Sequence, residues 1–300
     1  MLICEPVDSF LCNISSKSRR VIVVHDPSMS YSVQDVSSIP NAASYIFNCI
    51  SALSLYCFVC LFSGVPINLG EELVKNILSF EGTMTYEIKN IIALQPPYTD
   101  MKSSEIHNTS KVMKASFLIC WHKVNNNGQL DHFGLLNSQI ISLYILWNNN
   151  YIFRYSNHRD SDGIRLKQKE VHMENGHYNP KSWLILPVGF MSHCGWNSCI
   201  ESITMGVPVV AWPMHSDQPN NGFLVIKIFK IGLILREWDK RRELISPSTI
   251  ENVVRKLMES EEGDVIRKRA EGLGEAVRRS TKKQGSSRIV LDYFIIFIKR

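Results

Sequence analysis

The sequence predicts an α/β fold built on mostly parallel sheets, and two observations carry that prediction. Short apolar, β-branched runs such as RRVIVVHD (Arg19–Asp26) and GVPVVAWP (Gly206–Pro213) end in polar residues. A strand covered on both faces reads this way where its C-terminal end opens into a loop. Segments of helical spacing with recognisable stops separate such runs, as in NSCIESITMG, which Gly206 closes.

Taken in order, Arg19–Asp26 is the first strand and IPNAASYIF (Ile39–Phe47) the second. SALSLYCFVCLF (Ser51–Phe62) is a helix covering the sheet, and KASFLICW (Lys114–Trp121) a further strand. From Asn125 to Pro187 no period is sustained, and little structure is assigned. His158, His172 and His177 lie there without any metal-ligand pattern, so they read as solvated side chains. Regularity returns with GFMSH (Gly189–His193) as a strand end, then NSCIESITMG as a helix and GVPVVAWP as the next strand. A helix follows Gln218 and ends near Gly232. Ser248 with Glu251 reads as a capping box, and Ile250, Val253, Val254 and Leu257 share one face of the helix it opens.

Composition narrows the function classes. The 300 residues carry a net charge of +5, but the basic residues are dispersed, and Lys240–Arg242 is too short a cluster for a nucleic-acid surface. Eight scattered cysteines and a start lacking a basic, then apolar, leader predict a reduced cytosolic protein. Cys57 and Cys60 form a CxxC, but in an apolar run, where buried inert thiols are expected. Tyr45–Phe62 is uncharged and long enough to cross a bilayer. Asn48, Ser51 and Ser54 within it, and the lack of basic flanks, favour a strand followed by a buried helix.

The chemistry concentrates in GFMSHCGWNSCIESITMGVPVVAWPMHSDQPNNG (Gly189–Gly222). In parallel α/β sheets, ligands bind outside the carboxyl ends of the strands. The first strand delivers His193 to that edge, Gly195 allows a sharp turn, and a helix starts near Trp196, Asn197 and Ser198. A helix start offers N–H groups and partial positive charge, which suits a diphosphate. Asn197 and Ser198 add donors, and His193 adds one that can be cationic. Glu201, one turn further in, suits two neighbouring hydroxyls, as on a ribose. Asp217 and Gln218 follow the next strand and can hold the vicinal hydroxyls of a sugar. Singly, each is explained as well by capping or turn formation. Together, these polar positions at one sheet edge favour a nucleotide-sugar site.

The same stretch resembles the second half of the signature box of plant uridine-diphosphate-dependent glycosyltransferases. FKIGLILREWDKRRELISPSTIENVVRKLMESEEGDVIRKRAEGLGEAVRRS and SSKSRRVIVVHDPSMSYSVQDVSSIPNAASYIF are similar to the zeatin O-glucosyltransferase branch. The likeness covers residues 5 to 123 moderately and 189 to 300 strongly. It implies the GT-B type of fold, with two Rossmann-like domains, both incomplete here. The expected division is an acceptor-binding domain over 1–124, an unmatched segment over 125–187 and a nucleotide-sugar-binding domain over 188–300. His193, Asn197 and Ser198 would hold the diphosphate of a UDP-sugar; Gly195 and Trp196 would form and support their loop. Glu201 would bind the ribose, and Asp217 and Gln218 the sugar. The implied reaction moves glucose or xylose to a hydroxyl of a small acceptor such as zeatin, with inversion and with neither metal nor cofactor. Asp26 matches the family's Asp that orients a catalytic His.

That His belongs to an earlier strand–loop unit with no counterpart here, and His25 does not match it. NPKSWLILPV (Asn179–Val188) stands where the family has a Trp-x-Pro-Gln segment that stacks on uracil, and Trp183 does not replace it. The glycine-containing loop that opens the family's second domain has no counterpart in Asn125–Pro187. These gaps are expected of a shortened or misassembled family member. Three readings follow: a cytoplasmic glycosyltransferase, an inactive remnant that binds a nucleotide sugar or a protein, and a small protein anchored by Tyr45–Phe62.

Overall fold

In the computed structural model the described residues are 4–67, 83–84, 86–95, 102–113, 153–154, 167–168 and 189–299. Lys114–Trp121 and most of Asn125–Pro187, including its three histidines and Trp183, lie outside them. The chain divides into two compact units. One comprises Met1–Leu69, Phe80–Tyr144 and Ser280–Arg300, the other Gly70–Ser79 and Ile145–Arg279.

The first unit opens with helix α1 (Cys4–Ser15), which the sequence reading left unassigned. Strands β1 (Val21–His25) and β2 (Ala42–Asn48) follow, separated by a 3₁₀ segment over Pro27–Ser38. Helix α2 (Ala52–Ser63) runs from Ser51, whose hydroxyl accepts from the Ser54 N–H, to Gly64 in the left-handed conformation. Helix α3 (Tyr86–Ala93) and strand β3 (Ser104–His107) complete this part. The three strands pair in parallel in the order β1-β2-β3, with Val24 opposite Tyr45 and Tyr45 opposite Ser104. Tyr45–Phe62 is therefore divided between a sheet strand and a helix whose face holds buried Tyr56 and Cys60. No helix among the described residues is long and apolar enough to cross a membrane. Burial pushes the Cys57 thiol up to about 12, as an inert core thiol requires.

The second unit has the same logic. Strands β6 (Phe190–Ser192), β7 (Val209–Ala211) and β8 (Gly232–Ile234) pair in parallel in that order. Before them, two-residue strands β4 (Phe153–Arg154) and β5 (Lys167–Gln168) form a short antiparallel pair. Helix α4 (Trp196–Met205) joins β6 to β7 and stops at Gly206, φ 71°, whose missing side chain also lets the backbone of Glu271 approach closely. Helix α5 (Gln218–Phe223) continues into a π-helical turn over Leu224–Ile228. The expected helix after Gln218 thus ends before Gly232, which instead opens β8.

Helix α6 (Pro247–Glu259) packs Ile250, Val253 and Leu257 against Val210, Leu235 and Ile266. Its N-cap is Ser246, whose Oγ accepts from the Thr249 N–H, and not Ser248 as the sequence reading expected. The reason is Pro247, whose fixed φ suits the first helical position and places the cap one residue earlier. Glu251 pairs with Arg255 instead. Helix α7 (Glu261–Thr281) follows. The last helix, α8 (Ser286–Lys299), belongs to the first unit, where Phe294 meets Tyr45 edge-on at 5.1 Å beside Ile106.

Candidate functional site

In the second unit, β6 and β7 both end where their sheet meets two tight loops. After Ser192 the chain turns through Cys194, which is buried and adopts φ 65°. A non-glycine residue is costly there unless the surroundings hold it. Two bonds do so: the Cys194 N–H donates to Ser192 Oγ at 3.0 Å, and its carbonyl accepts from Asn221 Nδ2 at 2.9 Å. Gly195 is then the N-cap of α4, with no side-chain cap bond. Asn197 and Ser198 follow within the first turn of α4. A Cβ on Gly195 would lie 2.4 Å from Nε2 of His193, so the imidazole occupies the space that glycine leaves open. His193 and Asn197 are exposed, Ser198 and Glu201 half-buried, and Trp196 is buried beneath the turn.

After Ala211 the second loop turns at Ser216, φ 57°. Gln218 is buried and braces this loop: its Oε1 accepts from the N–H groups of Met214 (2.9 Å) and His215 (3.1 Å). Its Nε2 lies 3.3 Å from the His215 ring nitrogens. Asp217 is only 8% exposed and accepts from Asn221 Nδ2 at 2.8 Å.

The two loops share an electrostatic environment. Desolvation raises the Asp217 carboxyl above the ordinary carboxylate value, opposed by the Asn221 bond and by His215 and His193. Desolvation first, then His215, lowers the His193 imidazole, with Asp217 opposing. Desolvation thus favours the neutral imidazole of His193 over its cationic form. Sequence reasoning gave no role to Asn221, His215 or Cys194. Asn221 had a signal: it stands four residues after Asp217, a spacing at which helical neighbours meet.

In the first unit, Asp26 follows β1 at the C-terminal edge of the sheet. Its Oδ1 accepts from the N–H and hydroxyl of Ser28, capping the 3₁₀ segment, and its Oδ2 accepts from the Cys49 thiol at 3.0 Å. His25 Nδ1 lies 3.0 Å from the Asp26 carbonyl oxygen, so it is occupied by its own backbone turn. Among the described residues, no group of three or more His, Cys, Asp or Glu side chains is placed to hold a metal ion.

Solved structures share this architecture. UGT2 of Phytolacca americana, complexed with UDP-2fluoro-glucose and pterostilbene, superposes with a TM-score of 0.72 at 15% identity, over 99% of this chain and 79% of that one. TcCGT1 in complex with UDP gives 0.65 at 18% identity, over 97% and 80%. The fold is GT-B, with parallel α/β sheets. The family model described as "Glycosyltransferase, N-terminal domain" matches residues 1–135, and that described as "UDP-glucoronosyl and UDP-glucosyl transferase" matches residues 187–235. Zeatin O-xylosyltransferase of Phaseolus vulgaris is 30% identical over 357 residues, spanning 99% of this chain and 78% of that protein. Zeatin O-glucosyltransferase of Phaseolus lunatus matches to the same extent. Cis-zeatin O-glucosyltransferase 1 of Zea mays is 52% identical over 111 residues, 37% of this chain and 24% of that protein. The chain belongs to the plant UDP-glycosyltransferase family, enzymes that use a UDP-sugar as co-substrate.

Proposed function

We propose that this chain transfers glucose or xylose from a UDP-sugar to a hydroxyl of zeatin or a related cytokinin in the cytoplasm, with inversion at the anomeric carbon. The match to two zeatin glycosyltransferases over 99% of this chain supports this acceptor class, and it favours neither sugar over the other. The single observation that carries the donor half is the meeting of two loops at one sheet edge, where Asn221 bonds both Asp217 and the Cys194 carbonyl.

In this reading residues 188–279 supply the donor domain and residues 1–124 the acceptor domain, to whose unit α8 belongs. The diphosphate lies against the start of α4, where Gly195 leaves the helix end without a side-chain cap and His193 donates an N–H. Asn197 and Ser198 add donors, and Trp196 fixes the turn from below. Glu201, one turn into α4, accepts from the ribose hydroxyls. Asp217 accepts from hydroxyls of the sugar, and Gln218 keeps its loop in place while offering its amide. Asp26 stands where the family's Asp orients a base, and in this chain its carboxylate is held by Ser28 and Cys49.

Calorimetry on the purified chain tests the donor roles. Glu201→Ala should weaken UDP itself by about 1.5–3 kcal/mol, the worth of hydrogen bonds to a charged group. Asp217→Ala should leave UDP nearly unchanged and weaken UDP-glucose. Equal losses for both variants on UDP alone would refute the assignment. An assay with zeatin and either UDP-glucose or UDP-xylose then reads the sugar, and no transfer to zeatin from either donor would remove the acceptor assignment.

A further inference from the structure

We propose that Asn221 is the positioning residue of the sugar subsite, because its one amide NH₂ group ties the Asp217 carboxylate to the backbone of the diphosphate loop. The inference rests on the donor site proposed above. Asn221 is wholly buried, and its Nδ2 donates to Asp217 Oδ2 at 2.8 Å and to the Cys194 carbonyl at 2.9 Å. An amide nitrogen carries two protons, and these two acceptors use both. Asp217 begins the loop-to-helix junction of α5, whereas Cys194 is the left-handed residue at the turn before α4.

Geometry explains why the residue must be an asparagine. Asp at this position brings a second carboxylate and no donor at neutral pH. Ser brings one proton for two acceptors, and Ala brings none. With Oδ2 of Asp217 held, its carboxylate is anchored to the turn that carries His193. The sugar and diphosphate contacts are then set at a constant separation. An acceptor that must meet a sugar held at one end by its diphosphate gains from this, since about an ångström of misplacement costs orders of magnitude in rate. The His193 turn keeps a second support without Asn221, because Ser192 Oγ still accepts from the Cys194 N–H. The loss should therefore fall on the sugar.

The test is titration of the full chain with UDP and with UDP-glucose, for wild type, Asn221→Ala and Asn221→Asp. In Asn221→Ala the ratio of UDP-glucose to UDP affinity should fall about tenfold, while UDP affinity changes by less than about threefold, as loss of one carboxylate anchor predicts. In Asn221→Asp the ratio should be low at neutral pH and recover on acidification, when a proton shared between the two carboxyls restores the bond. His193, His215 and Cys199 also face Asp217 electrostatically, so wild type is titrated over the same range as the reference. An unchanged ratio, or equal loss of both ligands alongside a lower Tm, overturns the inference. If Asn221→Ala does not fold, a pH-independent ratio in Asn221→Asp overturns it alone. If wild type binds UDP no better than a non-nucleotide diphosphate, the donor site itself is wrong and the inference falls with it.

Discussion

Asp217 and His193 place opposite demands on pH at one sheet edge. The folded state raises the Asp217 carboxyl, so its stabilising contribution is present below the ordinary value of 3.8 and is lost as pH rises through the higher folded value. The folded state lowers the His193 imidazole, so stability falls as pH drops through 6.5. Asp217→Asn removes a buried charge while keeping an oxygen to accept from Asn221. It should be more thermostable than wild type at pH 7, with the gain shrinking towards pH 4. Thermal melts across that range check this, and a variant less stable at pH 7 than at pH 4, relative to wild type, would contradict it. A buried carboxylate here fits the sugar-binding role proposed above, since a loop alone would be better served by an amide.

Elements supply a second set of expectations. Gly272 and Gly274 lie two residues apart in α7, and their surroundings differ. A Cβ at Gly272 meets nothing within 4 Å, whereas one at Gly274 would lie 2.6 Å from the Ile203 carbonyl oxygen and 2.7 Å from the Gly206 nitrogen. Gly272→Ala should stabilise by about 0.5–1 kcal/mol through helix propensity alone. Gly274→Ala should destabilise, because backbone cannot move aside as a side-chain tip can. Denaturant titration of both variants reads the opposite signs. At the start of α6, Ser246→Ala should cost about 1 kcal/mol and Ser248→Ala much less. Equal losses would restore Ser248 as the cap. The capping box was misread because two serines flank Pro247 and the wrong one stands three before Glu251. The proline's fixed φ selects between them, and its weight is plain once the helix start is seen.

At the scale of the whole molecule, each unit has its own apolar cluster around a three-stranded parallel sheet. Ile106→Ala and Leu257→Ala remove buried side chains from different clusters, and each should cost about 2–5 kcal/mol. Hydrogen exchange should show the first loosening β2 and β3 and the second loosening β7 and α6. Equal loss of protection in both units from either variant would show that they unfold as one.

The amino-acid order alone determined the fold class, β1, β2, α2, β6, α4 and β7, because apolar runs of strand length and glycine stops are local signals. It also singled out Gly189–Gly222 as the candidate donor site, since its polar residues recur at strand ends where burial would otherwise exclude them. Tertiary structure decided what no local pattern encodes. α8 follows the second unit in the chain but packs on the first, because Phe294 finds its apolar partner in Tyr45, nearly 250 residues earlier. The His193 imidazole is lowered by desolvation and by His215, which arrives from another loop. Asn221 joins Asp217 to Cys194 across a separation of 27 residues, a contact that exists only once two strands lie side by side and bring their loops to the same edge.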